Sequence, residues 1–243
     1  MKAIILSAGQ GSRLGHLTSE RPKCLIQFAG RSLLDRQLDT LFACGIDEAV
    51  VVTGFRDDQI EAALARRTGG PKVRTLFNPF YQVADNLGSL FIAREELVGD
   101  VLVWNGDTLV SDRLMAQVVA NRRQGGICVT IDRKQEYDSD DMKVIADDDG
   151  RLRAIGKRIV EGVNAESIGL LAFRDAGARR FRDAIERAMR TSEGTTIWYL
   201  RVIHHLAQNG EVWTLDIDGE EWGEVDFPED VAPAEAMVKG WSL

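Results

Sequence analysis

Apolar segments of two kinds alternate along the first half of the chain. Residues 2–6 form a short apolar run, which is typical of a buried parallel strand, and the β-branched run within Glu48–Thr53 has the same character. Ser32–Cys44 instead spaces its leucines so that they share one face of a helix, and Gly45 beyond it is a stop signal. The same criteria predict strands at Val73–Phe77 and Val101–Trp104 and helices at Asp57–Arg67 and Ser89–Leu97.

The second half of the chain has more strand-like segments. Turns such as Asp147–Gly150 separate its apolar runs. The acidic stretch Asp138–Asp141 is interpreted as a solvated turn. Strands are predicted at Ile127–Asp132, Met142–Ala146, Leu152–Ile155, Ser167–Phe173 and Val212–Ile217, and helices at Ala178–Met189, Trp198–Gln208 and Glu229–Lys239.

Strands that alternate with helices indicate a doubly wound α/β fold with a mixed, mainly parallel sheet. We expect a single domain over residues 1–243, with a first half of about residues 1–125 and a β-rich insertion in a second half of about residues 126–243. In such sheets, ligands bind at the carboxyl ends of the strands. A glycine-bearing loop after residue 6 and the pair Gly106-Asp107 both follow predicted strands, so we expect the functional site to include them.

Charge and hydropathy narrow the possible functions. The chain has 30 Lys and Arg against 38 Asp and Glu, a formal net charge of −8, and no basic run longer than two residues, which argues against a nucleic-acid partner. No segment approaches the roughly 18 apolar residues of a membrane helix, and the N-terminal apolar run is too short for a signal peptide. The three cysteines show no metal-ligand spacing. We expect a cytoplasmic protein that does not bind membranes.

The loop Ala8–Leu14 is the first candidate for chemistry. Gly9 and Gly11 let backbone amides approach an anion closely, and Arg13 beside them suits a polyphosphate. Glycines after a strand can also form a simple tight turn, and this loop matches neither a dinucleotide fingerprint nor a P-loop. Lys23, whose direction is set by the preceding proline, is a second candidate, with an exposed surface lysine as the alternative.

Two aspartates form a candidate metal site. Asp107 and Asp226 each follow an apolar, strand-like segment. An isolated Gly-Asp pair is usually only a turn, but this placement at strand ends favours a metal role. Carboxylates, phosphate oxygens and water are the ligands that Mg²⁺ prefers.

These motifs together resemble the signature of sugar-phosphate-type nucleotidyltransferases. The resemblance covers nearly the whole chain and implies a Rossmann-like, GT-A-like fold, with a nucleotide-binding first half and an acceptor-binding or lid second half. It also implies Mg²⁺ at Asp107 and Asp226, and transfer of a nucleoside monophosphate from an NTP to a phosphorylated acceptor. Ser32 stands where the family commonly has proline. The matching segments are Met1–Leu6, Ala8–Leu14, Pro22–Leu25, Gly30–Leu34, Gly106-Asp107 and Glu224–Asp226.

The same resemblance implies roles for further residues. Arg13 would stabilise the leaving pyrophosphate and Lys23 would neutralise the α-phosphate, so both are predicted catalytic residues and no general base is needed. The implied nucleotide-binding residues are Leu6, Ala8, Gly9, Gly11, Ser12, Asp85, Asn86, Ser89 and Gly106. The implied acceptor-binding residues are Lys157, Glu166, Trp198 and Glu224.

One segment bears on the choice of nucleotide. Asn78–Tyr81 and Asp85–Leu90 resemble the corresponding stretch of bacterial phosphocholine, inositol-phosphate and aminoethylphosphonate cytidylyltransferases, with Asp85 in place of asparagine. A side-chain oxygen here could accept a hydrogen bond from the cytosine amino group. Asp85 or Asn86 could equally cap the helix that follows.

The aromatic pair Trp198-Tyr199 bears on the acceptor. Its rings could stack on an amine-bearing acceptor, because quaternary ammonium groups favour aromatic faces, or they could pack in the core. We predict a cytidylyltransferase that transfers CMP from CTP to phosphocholine, aminoethylphosphonate or a similar small acceptor. A sugar-1-phosphate nucleotidyltransferase using UTP, GTP or dTTP is the first alternative, and a non-catalytic nucleotide sensor is the second. The expected partners are small molecules, and the expected state is a monomer or homodimer.

Overall fold

The computed structural model describes residues 1–122 and 126–241. The boundary predicted near residue 125 therefore borders residues 123–125, which lie outside the described part, as do residues 242 and 243. The strands are β1 (Lys2–Ser7), β2 (Gln27–Phe28), β3 (Arg31–Ser32), β4 (Glu48–Thr53), β5 (Lys72–Phe77), β6 (Val101–Asn105), β7 (Thr108–Val110), β8 (Ile127–Asp132), β9 (Lys143–Ala146), β10 (Leu152–Ile155), β11 (Ala165–Phe173), β12 (Trp213–Asp216) and β13 (Trp222–Glu224). The α-helices are α1 (Leu33–Ala43), α2 (Asp57–Ala65), α3 (Asn86–Ile92), α4 (Asp112–Ala120), α5 (Ala176–Met189), α6 (Tyr199–Gln208) and α7 (Val231–Gly240).

A nine-stranded mixed sheet forms the centre of the molecule. Its main path runs β10-β9-β11-β6-β1-β4-β5, while β8 pairs with β11 and β12 pairs with β8. The four strands β6, β1, β4 and β5 are parallel to one another, β11 is antiparallel to β6, and β12 pairs in parallel with β8. The predicted α/β class with a mixed, mainly parallel sheet is confirmed. The β-rich segment of the second half extends this same sheet through β8 to β12.

Helices cover both faces of the sheet because successive side chains of each strand point to opposite faces. In β1, Ile4 packs in one apolar cluster with α3, α5 and α6, whereas Ile5 packs in another with α1, α2 and α4. A third cluster contains Leu14, Leu109 and Val225, and it joins the loop after β1 to β7 and to the segment that follows β13. The packing of this third cluster holds the functional segments together at one end of the sheet.

The structure departs from the sequence predictions at several elements, of which three adjoin or contain residues discussed below. Helix α4, capped by the Ser111 side chain, was not predicted. Helix α3 begins at Asn86 rather than at Ser89, because Asp85 serves as its N-cap. Helix α6 begins at Tyr199, so that Trp198 is its N-cap rather than its first residue. None of the helices within residues 1–122 and 126–241 is both long and apolar enough to cross a membrane.

Candidate active site

The candidate site is built at the carboxyl ends of β1 and β6. These strands pair in parallel with Leu6 opposite Asn105, and the Gly106 N–H then donates to the Leu6 carbonyl at 3.0 Å. A Cβ added to Gly106 would lie 2.4 Å from that carbonyl oxygen, so only glycine permits this close approach. The turn therefore places Asp107 directly above the end of β1.

A short antiparallel ribbon brings the second acidic segment to Asp107. Strand β13 pairs with β7, with Glu224 opposite Thr108, and the Val225 N–H donates to the Asp107 carbonyl at 3.1 Å. The carboxylates of Asp107, Glu224 and Asp226 consequently have ligand oxygens within 4.8 Å of one another. Both aspartates predicted to bind metal lie in this cluster, and Glu224, predicted to contact the acceptor, is its third member.

Positive charge converges on the carboxylate cluster. The Lys23 ammonium donates to Asp107 Oδ2 at 3.1 Å and also to Asp226, and Arg13 forms a further ion pair with Asp226. Burial by itself would lower the pKa of Lys23, but the two aspartates outweigh it and the pKa is raised. The charged lysine is thus held in place by the same groups that are predicted to bind the metal.

Glu224 adds a third carboxyl group beside the two aspartates that pair with Lys23 and Arg13. Glu224 lines the cleft beside Asp107 and Asp226. Burial, followed by repulsion from Asp107 and Asp226, raises the pKa of Glu224 to about 8. Three hard oxygen donors that repel one another form a donor set suited to a divalent cation.

Lys23 is positioned by direct packing against the glycine loop. Pro22 is extended, a short 3₁₀ turn begins at Lys23, and its side chain is buried beside Gly11. Gly11 has a φ of 73°, and a Cβ there would lie 2.9 Å from Lys23 Cδ. The alternative of an exposed surface lysine is therefore wrong for Lys23.

We expect Gly11→Ala to reduce kcat/KM by about tenfold to a hundredfold, because the new methyl group displaces the Lys23 side chain. Gly45→Ala is the matched control, since Gly45 has a φ of 75° but nothing lies within 4 Å of an added Cβ. Both variants carry the cost of a positive φ, about 1 kcal/mol, which thermal unfolding measures. Equal activity in the two variants would show that the function of Lys23 does not require its close packing against Gly11.

The loop after β1 is anchored at its start and exposed to solvent further along. Ala8 is buried and its carbonyl accepts from the Phe55 N–H at 2.9 Å, whereas Gly9 and Ser12 are exposed. The Thr18 hydroxyl donates to the Gly11 carbonyl at 2.7 Å, which closes the 3₁₀ segment Ser12–Thr18 onto the loop. This preformed loop is consistent with the predicted phosphate-binding role of its residues.

Asp85, Asn86 and Ser89, which were predicted to bind the nucleotide, also make contacts that hold the fold together. Ser89 is buried and its hydroxyl accepts from Asn78 Nδ2 at 3.1 Å, so it joins α3 to the loop after β5, and its nucleotide contact stays a prediction. Asp85 caps α3, as the alternative interpretation held. Asn86 lines the cleft while its Oδ1 accepts from the Tyr199 N–H at 3.0 Å, which ties α3 to the start of α6.

The four residues predicted to bind the acceptor share one cleft of about 770 Å³, whose wall also includes the carboxylate cluster. Trp198 is 41% exposed, and Lys157 Nζ lies 5.3 Å from its ring centroid. Tyr199, in contrast, is fully buried and its hydroxyl donates to Asn105 Oδ1 at 3.1 Å. The core-packing interpretation is therefore right for Tyr199, and of this aromatic pair Trp198 is the one whose ring lines the cleft. The acceptor residues brought together are Lys157, Glu166, Trp198 and Glu224.

Several cleft residues were missed by the sequence analysis. Asp138 does form a turn, because its carboxylate accepts from the N–H groups of Asp140 and Asp141. Asp138 and Asp140 are exposed, as expected for a solvated turn, but the Asp141 side chain is only 10% exposed and pairs with Lys134. The missed residues that line the cleft include Lys134, Asp138, Asp140, Asp141, Trp222 and Phe227.

Comparisons with known proteins agree with this geometry. A model of the MobA-like NTP transferase domain matches residues 3–205. The CMP-5'-(3-aminopropyl)phosphonate synthase of Streptomyces rubellomurinus is 32% identical over 97% of this chain, which spans 38% of that relative's length. The choline-phosphate cytidylyltransferase of Streptococcus pneumoniae is 24% identical over 98% of this chain and 99% of its own. The solved structure of the inositol-1-phosphate CTP transferase from T. maritima has the same fold, with a TM-score of 0.83 at 20% identity, covering 99% of this chain and 95% of its own.

Proposed function

Because this chain belongs to the MobA-like NTP transferase family, we propose that it transfers CMP from CTP to a small phosphorylated acceptor and releases pyrophosphate. The observation that carries the proposal is the convergence of Arg13, Lys23 and the carboxylate cluster at one wall of the cleft. Relatives named for CMP transfer to aminopropylphosphonate and to choline phosphate support the choice of CTP and of a small acceptor.

The proposed cofactor is Mg²⁺, which suits the three carboxylates of the cluster. When bound, the ion would neutralise charge on the phosphates and orient them. Asp107 and Asp226 would hold it, with Glu224 as a third ligand or as a contact to the acceptor. Burial and repulsion from Asp107 and Asp226 raise the pKa of Glu224, so Glu224 would have to lose its proton in order to bind the ion.

The chain's own residues would hold the nucleotide for an in-line displacement. Backbone amides of the loop that contains Gly9 and Ser12 would bind the polyphosphate. Arg13 would leave Asp226 to hold the β- and γ-phosphates, and Lys23 would neutralise the α-phosphate. An ionised oxygen of the acceptor's phosphate or phosphonate group forms a bond to the α-phosphorus, while the bond from that phosphorus to the bridging oxygen of pyrophosphate breaks.

The charges and the aromatic ring in the cleft wall suit an acceptor that carries an amine. Asp140, Asp141 and Glu166 place negative charge in its wall, and Trp198 adds an aromatic face. Phosphocholine and 2-aminoethylphosphonate combine an anionic reacting group with an organic cation, so they match both ends of this cleft. The cytoplasmic location and the monomeric or homodimeric state stay predictions.

A panel of nucleotides and acceptors tests the proposal. Pyrophosphate release would be measured with Mg²⁺ and CTP, UTP, GTP, ATP or dTTP, each crossed with phosphocholine, 2-aminoethylphosphonate and glucose 1-phosphate. We expect CTP to exceed UTP in kcat/KM by at least about a hundredfold, the discrimination given by a site that hydrogen-bonds the base. Preference for UTP, GTP or dTTP with the sugar phosphate would replace the proposal by its first alternative.

A further inference from the structure

The Lys134 ammonium occupies surroundings typical of a bound organic cation. Its Nζ lies 2.8 Å from Asp141 Oδ2 and 3.0 Å from Glu166 Oε1, and 5.8 Å from the Tyr137 ring centroid. Two carboxylates and an aromatic face are the groups with which proteins recognise alkylammonium ligands. The ammonium at this position, however, belongs to the protein itself.

The two carboxylates are more buried than the lysine, and Glu166 is fixed in the sheet. The side chains of Asp141 and Glu166 are only 10% and 6% exposed, but that of Lys134 is 35% exposed. Glu166 is held in β11, where it pairs with Asp132 of β8 and with Lys143 of β9. Lys134 lies in the loop between β8 and β9, so its side chain can swing into solvent without disturbing the sheet.

This ion pair lies in the cleft that also contains the carboxylate cluster. Lys134, Asp141 and Glu166 line the same cavity as Asp107 and Asp226. Two ammonium groups a few ångströms apart repel each other, so the space between Asp141 and Glu166 holds one at a time. An acceptor ammonium that reaches it must take the place of the Lys134 side chain.

We propose that Asp141 and Glu166 form the subsite for the acceptor's ammonium group, and that Lys134 fills this subsite in the free protein and is displaced when the acceptor binds. The inference rests on the proposed function and deepens it. Acceptors without an ammonium group leave Lys134 where it is, because they offer the two carboxylates no replacement charge. Lys134 is thus a specificity-determining residue.

A different role for Lys134 leads to different kinetics. If the lysine bound the acceptor's phosphonate, its removal would weaken the binding of every acceptor to the same degree. If the lysine competes with the acceptor's ammonium, its removal strengthens the binding of ammonium acceptors only. A pair of acceptors that differ in the amine alone separates the two roles.

The kinetic test compares Lys134→Met with Lys72→Met, an exposed lysine in the edge strand β5. With CTP and Mg²⁺, we expect Lys134→Met to lower the KM for 2-aminoethylphosphonate by about fivefold, the size of a half-exposed ion pair. The KM for ethylphosphonate should not change, and Lys72→Met should alter neither. A rise in KM for both acceptors, or no change for the amine, would overturn the proposal.

A binding test needs no turnover, so it can succeed or fail independently of the proposed function. Thermal unfolding would be followed without nucleotide in methylammonium chloride and in sodium chloride at equal ionic strength. Methylammonium should raise the Tm of Lys134→Met and of Lys134→Gln, while the wild-type protein and Lys72→Met should unfold alike in both salts. Equal Tm values in both salts for the two Lys134 variants would contradict an ammonium subsite.

Discussion

Replacing Lys23 with alanine is expected to lower kcat by about a hundredfold to a thousandfold, the effect of losing one preorganised charge contact in a transition state. The buried Lys23 ammonium is already fixed by Asp107 and Asp226, so little reorganisation is needed when the α-phosphate gains charge. The KM for the acceptor should change much less, because the predicted contact is to the nucleotide.

Two controls separate this role from a structural one. Lys72→Ala removes an exposed lysine from β5 and should leave kcat unchanged. Thermal unfolding of Lys23→Ala reports whether the carboxylates, left without their cation, destabilise the fold. A folded Lys23→Ala protein with nearly normal turnover would remove Lys23 from the catalytic residues.

Asp226→Asn should reduce activity by about a hundredfold or more, because a metal site that loses a carboxylate holds its ion less well and positions it poorly. Asp226 contacts both Lys23 and Arg13 and lies in the carboxylate cluster, so it links the proposed metal site to both residues predicted to bind phosphate. The Mg²⁺ concentration for half-maximal rate should rise together with the loss of kcat.

The measurement is a Mg²⁺ titration of the rate at saturating CTP and acceptor. Asp148→Asn is the control, since Asp148 is an exposed aspartate in the turn between β9 and β10. An Asp226→Asn protein with an unchanged Mg²⁺ titration would exclude Asp226 as a metal ligand.

Much of this site follows from local sequence. Gly106 and Asp107 come directly after an apolar strand, and Gly11 and Lys23 belong to a motif whose spacing is characteristic. In a parallel sheet such strand ends meet at one edge, so their convergence was predictable from the order of elements. Local periodicity and motif spacing together therefore lead to the fold and to the carboxylate cluster at one end of the cleft.

Other features depend on tertiary contacts that periodicity does not encode. Trp198 and Tyr199 are neighbours, yet one lines the cleft and the other is in the core, because α6 begins between them. Ser89 turns inward because the Asn78 amide reaches it from outside the helix. Side-chain direction at a helix start depends on the cap, and boundaries are the least certain part of a sequence-based assignment.

The ammonium subsite was not predictable for a related reason. Lys134, Asp141 and Glu166 come from two ends of a loop and from a distant strand, and the register of β11 against β8 and β9 brings them together. A run of aspartates in isolation is usually solvated. Only the sheet pairing shows that Asp141 turns into the cleft.

Transfer of CMP with matched release of pyrophosphate is the central claim, and product analysis tests it most directly. The protein would be incubated with Mg²⁺, CTP and 2-aminoethylphosphonate or phosphocholine, and the nucleotide product and pyrophosphate would be quantified together. The account predicts a CMP–acceptor conjugate and pyrophosphate in equal amounts, both dependent on the acceptor. Free CMP in place of the conjugate, or no pyrophosphate with any of the nucleotides and acceptors of the panel, would contradict it.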